Sequence, residues 1–226
     1  MTTETSVIVF DVNETLSDMS PLGTRFSDVG APAELAKLWF ATLLRDGFAL
    51  AASGDNGSFA AIGADVLRGM LAGVDLDRNR DAAVAHVMDG LTGLEVHPDV
   101  IAGITALSAA GFRLITLSNG SAQIAGKLLS AAGIRNEFES LLSVEDAPAW
   151  KPARAAYEYA AAATGTAAAG MLLVAVHPWD IHGAARAGLH TAWLNRTGAH
   201  YPAYFEAPEF TVSDLTELPA ALTSAS

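Results

Sequence analysis

The chain of 226 residues is long enough for one domain of ordinary size or for a core domain with an insertion. It has no cysteine for disulfides or thiolate metal sites, and its formal net charge of −12 disfavours a nucleic-acid partner, which needs clustered positive charge. No apolar run is long enough to cross a bilayer and the start "MTTETS" is unlike a secretory signal, so we expect a cytoplasmic protein that does not bind membranes.

The first predicted element is a strand, "SVIVFD" (6–11), in which four apolar residues lead straight into Asp11. Continuous apolar runs are typical of strands that are covered on both faces, as in a parallel sheet. Four later segments have the same character: "FRLITLSN" (112–119), "GMLLVAV" (170–176), "HTAWLN" (190–195) and "EFTV" (209–212).

Residues 17–95 contain no convincing strand and instead show helical periodicity. The segment 33–47 is predicted to place four apolar residues on one helical face: Leu35, Leu38, Trp39 and Leu43. A structureless loop of this length is implausible, so we interpret 17–95 as a helical cap domain inserted after the first strand. The core domain then comprises 1–16 and 96–226.

Helical patterns separate the remaining strands. In the segment 97–111, Pro98 and Asp99 stand where a helix should begin and Gly111 where it should end. Alternating strands and helices predict an α/β fold, a doubly wound, Rossmann-like parallel sheet.

Five polar residues fall at the predicted carboxyl ends of strands or on the segments that follow them: Asp11, Ser118, Asn119, Lys151 and Asp180. Taken singly, a strand-end Asp or Ser is more often a helix cap than a functional residue. Ligands of open α/β sheets bind at the carboxyl ends of the strands, so recurrence along this edge favours a common site.

The order of these residues resembles the haloacid dehalogenase superfamily. More narrowly, "FDVNETL", "LSNGS", "WKPARAAYE" and "HPWDIHGAARAGLHTAWLNRTG" are similar to the L-2-haloacid dehalogenase branch. The resemblance extends from about residue 6 to residue 220. It implies a hydrolase that acts on carbon–halogen bonds of small anionic 2-halocarboxylates, and relatives often form homodimers.

The resemblance implies an SN2 attack by Asp11 on the halogen-bearing carbon and an aspartyl ester that water then hydrolyses. Lys151 would be the counter-ion of Asp11, and Asp180 would orient Lys151 or the attacking water. The carboxylates would be held by Lys151 with Thr15, Ser118 and Asn119. A tyrosine at the place of Tyr157 assists the site in the family, although a packed aromatic residue between helix and core fits the sequence equally well.

No metal or other cofactor is expected. Phosphatases of the superfamily carry an aspartate where this chain has Asn13, and commonly an acidic residue where it has Val176. A phosphatase of a small phosphorylated metabolite is therefore the second interpretation, and a catalytically silent binding protein with the same fold is the third.

Three positions depart from the branch. Phe40 stands where the relatives have a cap arginine that contacts the departing halide, and Arg45 is too far along the helix to replace it. The branch usually has Ser and Asn where this chain has Ala175 and His177. His177 is predicted either to act as general base toward the ester-cleaving water or to pack as a hydrogen-bonded side chain.

Aromatic residues are the apolar candidates for the substrate pocket. Phe40 and Trp179 are assigned to it, since Trp179 lies between His177 and Asp180 and would exclude water from the site. Phe59 is assigned to the core.

Overall fold

One parallel sheet organises residues 5–224, the part of the chain that this computed structural model describes. Its six strands there are β1 (Val7–Phe10), β2 (Arg113–Ser118), β3 (Phe138–Ser143), β4 (Met171–Ala175), β5 (His190–Leu194) and β6 (Phe210–Val212). They lie in the order β3-β2-β1-β4-β5-β6, and all five neighbouring pairs are parallel. The predicted doubly wound, Rossmann-like α/β sheet is confirmed.

Helices separate the strands along the chain. The described residues contain α1 (Leu22–Ser27), α2 (Leu35–Ser53), α3 (Phe59–Met70), α4 (Arg80–Asp89), α5 (Val100–Ala109), α6 (Ala122–Ala131), α7 (Arg154–Thr164), α8 (Pro178–Ala187) and α9 (Leu218–Ser224). Within residues 5–224, no helix is long and apolar enough to cross a membrane.

Strand β1 occupies the centre of the sheet because its side chains are apolar on both faces. Val7 and Val9 join one buried apolar cluster, and Ile8 and Phe10 join the other. The chain builds the sheet outward from β1 through β2 and β3 on one side and through β4, β5 and β6 on the other. This reversal opens a crevice at the carboxyl ends of β1 and β4.

The segment between β1 and α5 forms α1–α4, and no strand is assigned in it. Side chains of these helices, including Trp39 and Leu43, belong to the same apolar cluster as Val9. The helices therefore pack on the sheet near the end of β1. The division into a core of 1–16 and 96–226 and a cap of 17–95 stays a prediction.

Two details of the sequence prediction are wrong. Strand β3 was missed, because it lies at the sheet edge, its middle residues are only partly buried, and Glu139 interrupts its apolar pattern. Leu38 was assigned to the buried face of α2 but is 55% exposed, whereas Trp39 and Leu43 are fully buried.

Candidate active site

The Asp11 carboxylate lies at the crevice and is held through both of its oxygens. Asp11 follows β1 directly and is only 3% exposed. Its Oδ1 accepts a hydrogen bond of 2.9 Å from Nζ of Lys151, and its Oδ2 accepts one of 2.7 Å from Oγ1 of Thr15. Oγ1 of Thr15 also accepts a hydrogen bond from the backbone N–H of Val176, which fixes its orientation. A desolvated carboxylate held in this way can act as a nucleophile.

Lys151 is fully buried between two carboxylates. Its Nζ lies 2.9 Å from Oδ1 of Asp11 and 2.6 Å from Oδ2 of Asp180. The side-chain amide of Asn119 fixes the backbone here, since the N–H of Lys151 donates to Oδ1 of Asn119 and Nδ2 of Asn119 donates to the carbonyl of Lys151. The amide thus positions Lys151, and a direct contact of Asn119 with substrate stays a prediction.

Asp180 is held from its other side by Tyr157. Asp180 lies in the first turn of α8, and its Oδ1 accepts a hydrogen bond of 2.6 Å from the hydroxyl of Tyr157. The Tyr157 ring is buried in the core between helices, so both interpretations of this residue describe part of its environment. Gly183 is needed for this approach, because a Cβ atom there would lie 2.6 Å from the Tyr157 hydroxyl.

Burial and charge act in opposite directions on the pKa values of this cluster. Burial alone would raise the pKa of Asp11, but the charges of Lys151 and His177 and the Thr15 hydrogen bond together lower it below its usual value. Burial raises the pKa of Asp180, and the Asp11 charge adds to this effect although Lys151 opposes it. For Lys151, burial is outweighed by the two carboxylates, which raise its pKa. The geometry therefore favours an ionised Asp11 beside a charged Lys151.

Aromatic rings line the other side of Asp11. We call Phe40, His177 and Trp179 the aromatic side of the site. The rings of His177 and Trp179 are stacked, with centroids 5.0 Å apart and planes 18° apart. The Phe40 ring packs on His177 from the cap at 6.2 Å. Phe40 and His177, two of the three residues that depart from the family pattern, thus pack on each other, and His177 lies beside Asp11.

Ser118 lies at the end of β2 and is 1% exposed. Its Oγ accepts a hydrogen bond of 2.9 Å from the backbone N–H of Gly120 and is left able to donate its own proton. Ser118 lines a cavity of about 20 Å³ together with Asn13 and Phe59. The Phe59 ring stacks on Trp150 at 6.2 Å, as a core residue would.

A second and much larger cavity, of about 590 Å³, lies between the cap helices and the loops that follow β4 and β5. Its lining includes Phe40, Glu14 and Val176, and also Lys37 and His200. Of the aromatic side, Phe40 lines this cavity, whereas Asp11, which is 3% exposed, does not.

Glu14 is a residue that the sequence analysis did not single out. Its φ of 62° is the left-handed conformation that residues other than glycine rarely adopt, and such strain concentrates at functional sites. Nε2 of His97 bonds the Glu14 carbonyl at 3.0 Å, and Oε2 of Glu14 lies 3.8 Å from Nε2 of His177. The sequence carried no signal for this conformation. Arg45 points away from the site and pairs with Asp46 on the surface, as its helical spacing indicated.

Across residues 5–224, no group of three or more His, Cys, Asp or Glu side chains is placed to hold a metal ion. The two buried carboxylates of the site, Asp11 and Asp180, instead share the ammonium of Lys151.

Comparisons with known proteins identify chains that are similar to this one. A family model described as "haloacid dehalogenase-like hydrolase" matches residues 5–188. An (S)-2-haloacid dehalogenase of Pseudomonas sp. strain YL is 30% identical over 92% of this chain and 90% of its own length. A haloacetate dehalogenase of Moraxella sp. strain B is 38% identical, and that match spans 53% of each chain.

Among solved structures, a dehalogenase captured as an intermediate complex superposes with a TM-score of 0.89. It is 26% identical in sequence, and the match covers 98% of both chains.

Proposed function

The chain belongs to the haloacid dehalogenase-like hydrolase family, and we propose on that basis that it is a metal-independent hydrolytic dehalogenase of small 2-haloacids. The observation that carries the proposal is the buried Asp11 carboxylate, bonded through one oxygen to Lys151 and through the other to Thr15. The names of the relatives supply the substrate class, a 2-halocarboxylate.

In the first step, an oxygen of Asp11 attacks the carbon that bears the halogen. The new C–O bond forms as the C–halogen bond breaks, and the bonding electron pair leaves with the halide. Asp11 becomes an ester, so its negative charge is lost while Lys151 keeps Asp180 as partner. Such a substitution at carbon needs neither a metal nor an acid to protonate the leaving group.

In the second step, water attacks the ester carbonyl of Asp11 and the bond between that carbonyl carbon and the ester oxygen breaks. The 2-hydroxy acid leaves with one proton of the water, and a base takes up the other. Asp180 is placed to orient Lys151 and, through it, the carbonyl, with Tyr157 fixing the Asp180 carboxylate. His177 is the further catalytic candidate, with a general-base role as the prediction from sequence. This step restores the Asp11 carboxylate.

Substrate binding is assigned to groups around the Asp11 carboxylate. Ser118 can donate its hydroxyl proton to the substrate carboxylate, and Thr15 orients the Asp11 oxygen. Asn119 acts through Lys151, while Phe40 and Trp179 present apolar faces that exclude water.

The phosphatase interpretation fits the site less well. Val176 stands where such phosphatases commonly carry an acidic residue that binds Mg²⁺, so one of the carboxylates that a Mg²⁺ site needs is missing. The place of the superfamily's general acid is taken by Asn13, whose backbone carbonyl bonds His177.

The test is halide release from chloro-, bromo- and fluoroacetate and from both enantiomers of 2-chloropropionate, in buffer with a chelator. Release that survives chelation, with heavy oxygen from labelled water found in Asp11 after turnover, is the expected result. Activity that disappears with Mg²⁺ removal would favour the phosphatase interpretation. Absence of turnover on the whole panel would favour a silent binding protein.

A cytoplasmic location and a homodimer are further parts of the proposal. The location is supported by the lack of cysteine and the dimer by the resemblance alone. Sedimentation of the purified chain tests the dimer.

A further inference from the structure

The first step of the proposed reaction creates a halide ion inside a nearly closed site. Among the described residues, the side chains of Lys151 and His177 can carry positive charge within 4 Å of the Asp11 carboxylate. Lys151 already bonds two carboxylates. Arg196 comes near only at the backbone of Thr15, and its remaining donors bind Asp99. Of these two groups, His177 is therefore the one with a nitrogen, Nδ1, that no hydrogen bond among the described residues occupies.

The surroundings of His177 require a proton on Nε2. This nitrogen lies 3.1 Å from the carbonyl oxygen of Asn13, 3.6 Å from Oδ2 of Asp11 and 3.8 Å from Oε2 of Glu14. All three are hydrogen-bond acceptors when the carboxylates are ionised, so Nε2 must be the donor. The other ring nitrogen, Nδ1, has no hydrogen-bond partner among the described residues.

Two carboxylates face the His177 ring. Asp11 at the end of β1 and Glu14 in the following loop both direct carboxylate oxygens at it. Glu14 achieves this through its left-handed backbone conformation. Lys151 lies behind Asp11 with its charge taken up by two carboxylates, and the cap side chain packed on the ring is the uncharged Phe40.

Two of the three departures from the family pattern compensate each other in space. Phe40, at the place of the expected arginine, removes a cation from the cap, and His177 supplies one from the start of α8. Their rings are in contact, 6.2 Å between centroids. Trp179 stacks on the imidazole with ring centroids 5.0 Å apart, and the His177 side chain is 11% exposed, so water has little access to it.

We propose that His177, protonated on both ring nitrogens, is the halide-binding group of this chain. The inference deepens the proposed dehalogenase function and rests on it. As the C–halogen bond breaks, the halide accepts a hydrogen bond from Nδ1–H, while Nε2–H keeps its bond to the Asn13 carbonyl. The imidazolium retains its proton throughout, and charge balance is kept because the halide leaves as an anion.

Single-turnover kinetics distinguish this role from the general-base role. If His177 binds the halide, His177→Asn slows the formation of the Asp11 ester itself by roughly ten- to hundredfold, the worth of a charged hydrogen bond. If His177 is only the base, the variant releases a full equivalent of halide at the parent rate and accumulates the ester, which mass spectrometry detects. That second pattern would overturn the proposal.

Bromide inhibition gives an independent readout. We expect bromide to inhibit the parent chain, and His177→Asn to weaken this inhibition about tenfold or more. The double variant Phe40→Arg/His177→Asn should recover bromide binding and part of the ester-forming rate. The control is His190→Asn, since His190 pairs with Glu209 at the opposite edge of the sheet.

Bromide inhibition that is unchanged in His177→Asn would also overturn the inference. A parent chain that releases no halide at all would instead refute the proposed function. The two failures are thus distinguishable in one set of assays.

Discussion

The two sides of the Asp11 carboxylate can be compared directly. On one side, Lys151, Asp180 and Tyr157 are fully buried and joined by hydrogen bonds of 2.6–2.9 Å. We call these three residues the charged side. On the aromatic side, the rings of His177 and Trp179 are stacked and the Phe40 ring packs on His177 at a tilt. The nitrogens on this side belong to one imidazole ring and one indole ring.

This difference separates two requirements of the reaction. A nucleophilic aspartate must be ionised whatever it attacks, so the charged side serves any substrate of this chemistry. The leaving group departs from the side of the carbon opposite the attacking oxygen, so the residues on that side contact it. The aromatic side is the side on which Phe40 and His177 depart from the family pattern, and we expect it to influence which leaving group is accepted.

Burial of the charged side also costs free energy on folding. Two buried carboxylates share one ammonium, and desolvation of such ions can exceed their mutual attraction. This cost is offset only while the ammonium and both carboxylates are present, because removal of one of them leaves an uncompensated buried charge. Variants of the two sides should accordingly differ: those of the charged side should lose stability as well as rate.

The largest effect is expected at Asp11, which both the charged side and the aromatic side contact. Asp11→Asn removes the nucleophile while keeping the shape of the side chain, and halide release should fall at least about 10⁴-fold. Halide release from bromoacetate is the measurement. The exposed Asp46→Asn on the cap is the matched control. Turnover that survives Asp11→Asn would mean that another group performs the attack.

Lys151→Met tests whether the charged side depends on its ammonium. The variant keeps the stem of the side chain but leaves Asp11 and Asp180 buried together, and the free energy of unfolding should fall by about 3–5 kcal/mol. Denaturant unfolding measures it. Adding Asp180→Asn to the variant removes one of the unpaired charges and should restore part of the loss. If Lys151→Met unfolds like the parent, the comparison between the two sides fails.

Much of the charged side could be predicted from sequence, because its members sit at strand ends and within local motifs. An apolar run that stops at Asp11 locates the crevice, and "WKP" and "PWD" locate Lys151 and Asp180. Parallel strands bring their carboxyl ends to one edge of the sheet, so separation along the chain does not matter.

The aromatic side was less predictable, because it depends on how the cap rests on the sheet. No local pattern relates Phe40 on α2 to His177 before α8, and their contact follows from tertiary packing alone. The left-handed backbone of Glu14 was hidden for a similar reason, since glutamate has no preference for it. Strand β3 was not predicted because a strand at the edge of a sheet needs few apolar residues.

The lowered pKa of Asp11 predicts the acid limit of the reaction. An ordinary aspartate has a pKa of about 3.9, and the folded value here is lower. The stabilisation from this ionised group is fully present above the unfolded value and is lost as pH falls through the folded one. Ester formation should therefore persist at pH values where an ordinary aspartate is already protonated. Single-turnover rates after a rapid pH drop measure this, and a decline centred above about pH 4 would contradict the direction of the shift.

The smallest effect is expected for Tyr157→Phe. The variant removes the 2.6 Å hydrogen bond to Oδ1 of Asp180 and keeps the buried ring, so the free energy of unfolding should fall by about 1–2 kcal/mol. Ester hydrolysis should slow modestly, while the halide released in a first turnover should not change. Tyr159→Phe on the same helix is the matched control. Denaturant unfolding and single-turnover assays provide the two measurements.

The reason for the modest effect lies in how Asp180 is held. Its other oxygen, Oδ2, keeps the 2.6 Å bond to Lys151, so the carboxylate loses one of two anchors and not its charge partner. A loss as large as that of Lys151→Met would show that Tyr157 belongs to the ion-pair network as an equal member. A loss confined to stability, with hydrolysis untouched, would show that Asp180 needs only Lys151 for its part in the chemistry.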